Sequence, residues 1–328
     1  MKLVGYFDTL LTDTVNLSRY KLDRLDDRVD AIYRALKNDA VLGPYVRAKI
    51  AQGSWAHRTI IEPQPQKEYD ADFLLQLDEN PEWSQDKSRY IGEVYAALGR
   101  SSTYSDMPRK RKCRCVRLTY ANLCHVDIVP YLILPGGREV IVNRDLGEWE
   151  DTNPTGFTQW MRTKDNITGG NLRKVIRLLK FLRDHKGTFQ GVRSIILTTV
   201  VGNVVDVNKT VWNSGYYADV PTTLRNITRD LDAWLQANHS KPSIADPSQC
   251  GTTFDHRWDD VTYANFRDKM NTYAAAIDDA YEETDKTRSI ALWQDLFGDG
   301  FKAPAPKQAS GPFTPAAPAA PVRSGRAG

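Results

Sequence analysis

Tyr69-Asp70-Ala71-Asp72-Phe73-Leu74-Leu75-Gln76-Leu77 is a run of aromatic and aliphatic residues broken twice by acid, and such a run predicts a β-strand. Side chains two apart on a strand leave from the same face, so Asp70 and Asp72 project together. A second apolar run, Cys124-His125-Val126-Asp127-Ile128-Val129-Pro130-Tyr131-Leu132-Ile133-Leu134, predicts another strand, with His125 and Asp127 sharing one parity. A carboxylate in so apolar a strand is costly to bury unless a positive charge meets it. An arginine is the ordinary structural partner for such an acid. A metal shared with Asp70 and Asp72 is the other solution.

The metal solution carries chemistry. Mg²⁺ takes hard oxygen ligands, few of them from protein. Two ions held by carboxylates can clamp the attacking and leaving oxygens of a phosphoryl or nucleotidyl transfer. Upstream, Val46-Arg47-Ala48-Lys49-Ile50 reads as a strand that runs into Gly53-Ser54. Glycine lets a backbone approach a phosphate closely, and the Ser54 hydroxyl can donate to it. Taken singly, Gly-Ser is an ordinary turn dipeptide and Asp-x-Asp an ordinary strand end. Their order, each in its strand context, makes the set specific.

Gly53-Ser54, Thr59 five positions after the serine, the pair Asp70 and Asp72, and Val126-Asp127-Ile128-Val129-Pro130 together resemble the DNA polymerase β-like nucleotidyltransferases. Within that superfamily the chain is similar to the bacterial CD-NTases, relatives of cyclic GMP-AMP synthase that serve CBASS anti-phage signalling. Residues 172–182, with Lys180 in Leu178-Leu179-Lys180-Phe181-Leu182, resemble the family's spine helix. Ser194-Ile195-Ile196-Leu197 resembles the segment after it, and Trp293-Gln294-Asp295-Leu296-Phe297-Gly298-Asp299-Gly300-Phe301 the close of the helical half. The likeness spans about residues 15–301. It departs from the family in the longer interval between Thr59 and Asp70, filled by Glu62-Pro63-Gln64-Pro65-Gln66-Lys67-Glu68.

The resemblance implies an α+β fold: a polymerase β-like core with a mixed sheet, packed against a C-terminal helical lobe, with the active site in the cleft between them. It implies a catalytic core with an N-terminal helix over residues 1–155, a helical lobe over 156–302 and a disordered Ala/Pro/Gly tail over 303–328. It also implies a template-independent nucleotidyltransferase that condenses nucleoside triphosphates into a cyclic di- or trinucleotide messenger and releases pyrophosphate. Asp70, Asp72 and Asp127 are then the catalytic and metal-binding residues, holding two Mg²⁺ ions for which Mn²⁺ can substitute. Gly53, Ser54, Lys180 and Ser194 contact the donor triphosphate. Polymerase β-like sites also make linear oligonucleotides, extend RNA ends or modify small molecules, and these are the alternative products. The implied partners are ATP, GTP or other triphosphates, a ubiquitin-transfer-like or HORMA-type regulator, and an effector that binds the product. Gly328, ending Arg326-Ala327-Gly328, is a candidate point of C-terminal attachment, the alternative being an inert disordered end.

At 328 residues the chain can bury one large bilobal core or two modest domains. Lys and Arg total 44 against 41 Asp and Glu, a net charge of +3, which argues against long nucleic acid as a partner. No signal-like stretch and no run of eighteen apolar residues occurs, so neither secretion nor a membrane is expected. Four cysteines without a secretory segment suit a reduced, cytoplasmic protein. Cys113-x-Cys115 does not have structural-zinc spacing, and Cys124 and His125 fall on opposite faces of one strand, so these read as core cysteines and a hydrogen-bonded histidine.

Elsewhere the pattern predicts a helix from about Ser18, with Leu22, Leu25, Val29, Ile32 and Leu36 on one face. It predicts a strand over 138–143, a turn-rich crossing over 151–156, and helices over 172–184, 221–238 and 258–284. On the first of these, Arg173, Arg177, Lys180 and Asp184 form a charged stripe, which periodicity alone assigns to solvent. Arg109-Lys110-Arg111-Lys112, continued by Arg114 and Arg117, reads as a hairpin edge kept from aggregation by charge.

Overall fold

A computed structural model describes residues 1–121 and 123–306. Seven strands, β1 (Val46–Gln52), β2 (Tyr69–Leu77), β3 (Arg109–Arg111), β4 (Val116–Tyr120), β5 (Cys124–Ile133), β6 (Glu139–Asn143) and β7 (Glu148–Asp151), form one sheet. The early helices are α1 (Val4–Leu10), α2 (Arg19–Lys37), α3 (Gly53–Ala56), α4 (Pro81–Ser84) and α5 (Ser88–Arg100). The later ones are α6 (Pro154–Ile167), α7 (Asn171–Lys186), α8 (Ser194–Asn203), α9 (Val207–Trp212), α10 (Val220–Ala237), α11 (Asp260–Glu282) and α12 (Lys286–Phe297).

The sheet is ordered β1-β2-β5-β4-β3, with β6 on the far half of β5 and β7 beside β6. Only β2 and β5 run parallel, in a register that sets Asp70 beside His125 and Asp72 beside Asp127. The sheet is therefore mixed, and the fold is α+β. Alternation sorts each central strand: Ala71, Phe73, Leu75 and Leu77, with Val126, Ile128 and Leu132, pack under α2 and α5. Leu74, Val129 and Tyr131 form a small apolar patch on the opposite face, with Cys115. That second face carries Asp70, Asp72 and Asp127. Burying one face and wetting part of the other is what such strands permit.

The helical half has its own core, in which α7 and α8 lie at the centre with α10, α11 and α12 around them. Asn153, Asp219, Asp259 and Asp285 start α6, α10, α11 and α12, each side chain accepting an N–H of the first turn at 2.7–2.8 Å. Such caps are worth about 1 kcal/mol apiece. The unit expected over 1–155 is not continuous in space. Phe7, Leu10, Leu11 and Val15 belong to the helical core, where the Phe7 ring meets Trp293 at 4.9 Å and Phe301 at 5.0 Å. A buried Phe contributes about 2–3 kcal/mol, so the short, propensity-poor α1 is held by packing. The helix expected from Ser18 forms as α2, with Ser18 accepting from Lys21 N–H at 3.3 Å. The crossing expected at 151–156 includes the end of β7 and the start of α6. Residues 303–306 lack regular structure and are exposed. The rest of the expected tail, with Gly328, lies outside the described residues.

Candidate active site

The two halves enclose a cleft of about 640 Å³, lined by Ser54, Thr59, Asp70, Lys180 and Ser194 among others. The segments that lengthen the Thr59 to Asp70 interval form part of its wall, through Pro63, Gln64, Lys67 and Glu68. Glu68 also reaches His125, at 3.4 Å.

On the sheet side, exposure falls from Asp70, which is open, through Asp72, half-buried, to Asp127, which is buried. Burial and the charges of Asp70 and Asp127 push the Asp72 carboxyl up to about 8. Neither Asp70 nor Asp72 is hydrogen-bonded or ion-paired to a side chain among the described residues. Asp127 has found the structural partner: Arg117, opposite it in the antiparallel β4–β5 register, donates two hydrogen bonds of 2.7 Å to its two oxygens. Among the described residues no three His, Cys, Asp or Glu side chains stand in metal-holding geometry. The donor set nonetheless suits a hard divalent cation. Asp72 feels the charges of Asp70 and Asp127 from adjacent strand positions, and a cation among the three would offset them.

Gly53 starts α3 at φ +62, and a Cβ there would lie 2.6 Å from Asp72 Oδ2. Glycine is required twice over, by conformation and by close approach. Ser54 follows, and its carbonyl accepts the Thr59 N–H at 2.8 Å, closing the turn.

Lys180 corrects the reading of a solvent-facing stripe. It is 4% exposed, and its ammonium donates to the Thr59 carbonyl at 3.0 Å and to Thr59 Oγ1 at 3.3 Å. Burial, with Arg183 nearby, lowers its pKa to about 8. The neighbours on the stripe are likewise engaged: Arg173 with Asp165 at 2.6 Å and Arg177 with the Arg58 carbonyl at 2.6 Å. Two members of the stripe, Arg177 and Lys180, thus form a seam between the halves, while Arg173 is bonded within the helical half. Sequence periodicity gives a common face and is silent on what that face meets. Ser194 opens α8, so its side chain stands at a helix N-terminus beside the cleft.

Three residues of this region have no place at the site in the sequence pattern. Arg117 was absorbed into a basic run, although its parity against Asp127 was a usable signal. His57, buried against Phe157 at 4.9 Å, has a pKa lowered to about 4 by burial and by Lys180 and Arg173. Arg177 is the third. The basic run itself divides: Arg109–Arg111 is the edge strand β3, as expected, while Arg114 pairs with Glu150. Cys113 meets Asn143 and Cys124 meets Arg28.

Residues 1–165 match the family described as Second Messenger Oligonucleotide or Dinucleotide Synthetase domain. A cyclic AMP-AMP-AMP synthase of Acinetobacter sp. is 23% identical over 219 residues, 66% of this chain and 61% of that protein. A c-di-GMP synthase of Roseivirga ehrenbergii is 27% identical over 164 residues, 47% of this chain and 42% of that protein. The chain therefore aligns with less than two thirds of the length of either synthase. In fold it is similar to CdnC of E. coli MS115-1 solved with ATP, with a TM-score of 0.69 at 18% identity, covering 92% of this chain and all of that one. CdnC has also been solved in a complex with HORMA-deltaN, there with a TM-score of 0.68 at 17% identity, covering 91% of this chain and 98% of that one. No helix among the described residues is long and apolar enough to cross a membrane.

Proposed function

We propose that this chain, which belongs to the Second Messenger Oligonucleotide or Dinucleotide Synthetase family, is a nucleotidyltransferase that condenses nucleoside triphosphates into a cyclic di- or trinucleotide with release of pyrophosphate. The observation that supports the reading is that Asp70, without a side-chain partner among the described residues, lines one cleft with Ser54, Lys180 and Ser194, while Asp72 and Asp127 lie beside it on the same face of the paired strands β2 and β5.

In this reading a ribose hydroxyl attacks the α-phosphorus of a donor triphosphate, the bond to the bridging oxygen breaks, and pyrophosphate leaves. Asp70, Asp72 and Asp127 would hold the divalent cations, Mg²⁺ or Mn²⁺, with Asp127 kept in place by its two hydrogen bonds from Arg117. The cations supply charge stabilisation and lower the pKa of the attacking hydroxyl. Ser54 donates to a phosphate oxygen from the tight turn that Gly53 permits. Lys180, titrating near 8 without substrate, is held charged by an arriving anion. Ser194 and the first N–H groups of α8 offer donors to the same anion. Positioning and charge stabilisation carry most of the acceleration in such transfers. The product would serve anti-phage signalling in the cytoplasm, and a HORMA-type partner is proposed on the strength of the CdnC complex.

The test is incubation of the protein with all four ribonucleoside triphosphates and Mg²⁺, then phosphatase treatment and mass spectrometry. A phosphatase-resistant oligonucleotide with matching pyrophosphate release is expected. Absence of pyrophosphate under every metal and triphosphate combination would overturn the reading.

A further inference from the structure

Arg177 of α7 spends a charged donor on a neutral acceptor. Its guanidinium gives an N–H to the backbone carbonyl of Arg58 at 2.6 Å, while its Nε is buried with no hydrogen-bond partner. Burial lowers its pKa, with the Arg173 charge adding to the effect. The nearby acid Asp165 is already engaged, accepting from both the Arg173 side chain and the Arg173 N–H. A half-buried arginine without its own carboxylate is expensive, so what it holds is informative.

What it holds is a strained point in the phosphate-binding turn. Arg58 has φ +56, a left-handed conformation that costs a residue with a Cβ roughly 1–2 kcal/mol. Its own side chain is exposed and makes no hydrogen bond or ion pair among the described residues. The next residue, Thr59, returns its N–H to the Ser54 carbonyl at 2.8 Å and takes Lys180 on its own carbonyl and hydroxyl. Arg177 and Lys180, one helical turn apart on α7, therefore grip consecutive residues of the segment that closes back on Ser54.

We infer that Arg177 is a positioning residue of the donor-triphosphate subsite, which holds the Arg58 carbonyl and through it sets where Ser54 meets the triphosphate. The inference rests on the proposed function for the identity of the ligand. It differs from a direct phosphate contact, because the bond is to backbone and the effect passes through the turn.

The test separates the two. Arg177→Met should raise the KM for ATP about tenfold, the loss of one charge-assisted hydrogen bond, with kcat within about threefold of wild type. Arg177→Lys, a point donor on a different stem, should give a smaller rise of about threefold. Arg58→Gly in the Arg177→Met background should bring the KM back toward wild type, because glycine takes φ > 0 without an anchor. A direct phosphate contact would not be rescued by that glycine, so failure of the rescue overturns the inference. A wild-type KM in Arg177→Met overturns it as well. If Arg177→Met does not fold, Arg177→Lys with and without Arg58→Gly carries the same comparison, and a wild-type KM in Arg177→Lys overturns it. If the wild-type protein itself releases no pyrophosphate, the functional reading has failed. The variants are then ranked by calorimetric affinity for ATP with Mg²⁺, where equal affinities overturn the inference separately.

Discussion

Strand β2 and helix α7 bring opposite charges to the same cleft and treat them differently. Three cations of α7 are engaged within the protein: Arg173 with Asp165, Arg177 with the Arg58 carbonyl, Lys180 with Thr59. The acids of β2 have no side-chain partners among the described residues, and burial together with the charges of Asp70 and Asp127 pushes the Asp72 carboxyl up to about 8. The helical side is bonded to residues 58–59, behind the Gly53-Ser54 turn, whereas Asp70 and Asp72 on the sheet side have no side-chain partner among the described residues; in the proposed reading that place is a cation's. Preorganised donors facing an unsatisfied acid cluster is the arrangement expected where binding energy is spent on reacting groups.

The comparison is broken most severely at β2. Asp72→Asn or Asp70→Asn should lower the rate of pyrophosphate release at saturating Mg²⁺ by a hundredfold or more. The cation's charge stabilisation is worth several kcal/mol, with each 1.36 kcal/mol tenfold in rate. Melting temperature should not fall in either variant, because an amide removes like-charge repulsion. Near wild-type turnover in one of them would remove that residue from the assignment.

Arg117 tests whether the sheet side is as unfinished as it looks. Removing it by Arg117→Met strands a buried carboxylate at Asp127, at a cost of about 3 kcal/mol or more. The loss should be partly recovered by Mg²⁺, so that melting in the variant rises with added metal more than it does in the wild type. Equal metal responses would mean that Asp127 takes no part in holding the ion and that its bond to Arg117 is purely structural.

At α7, Lys180→Met should raise the KM for the triphosphate tenfold to a hundredfold, a charged hydrogen bond being worth about 1.5–3 kcal/mol. Unlike a surface substitution, it also leaves the Thr59 carbonyl without its donor, so a modest fall in melting temperature should accompany it. An unchanged KM with a lowered melting temperature would make Lys180 a strut and nothing more.

These residues also mark how far the sequence could be read. Asp70 and Asp72 were legible because strand parity is fixed and the two acids interrupt an otherwise apolar run. The second run marked Asp127 as an acid in an apolar strand, but its register beside Asp72 came only from the structure. Arg177 was legible only as part of a stripe at helical spacing, and Lys180 beyond that only through the family resemblance, because the residues they bond, Arg58 and Thr59, are 119 and 121 positions away in the chain and carry no periodic mark. Phe7 was not legible as helical core for the same reason: its partners Trp293 and Phe301 lie at the other end of the sequence. Local periodicity announces a face, and long-range packing decides what covers it.

The smallest expected effect concerns His57, which lies behind the turn with its Nδ1 buried and unpartnered. Its folded pKa, about 4, is below the ordinary 6.5 because protonation would add a cation beside Lys180 and Arg173 in a buried place. A depressed histidine favours the fold when neutral, so its contribution is complete above about pH 6.5 and is lost as pH falls toward 4. At pH 5.5 the loss is about 1 kcal/mol, from the two pKa values and 1.36 kcal/mol per unit. Asp72 runs the other way over the same range, since its raised pKa makes acid favourable to the fold, so the wild-type curve alone mixes the two. His57→Phe removes one of them. Between pH 7.5 and 5.5 the variant should therefore lose about 1 kcal/mol less stability than the wild type, measured by urea unfolding at matched salt. Parallel curves would mean that His57 is protonated without cost, and that the cations of α7 leave more room for positive charge beneath the turn than their hydrogen bonds imply.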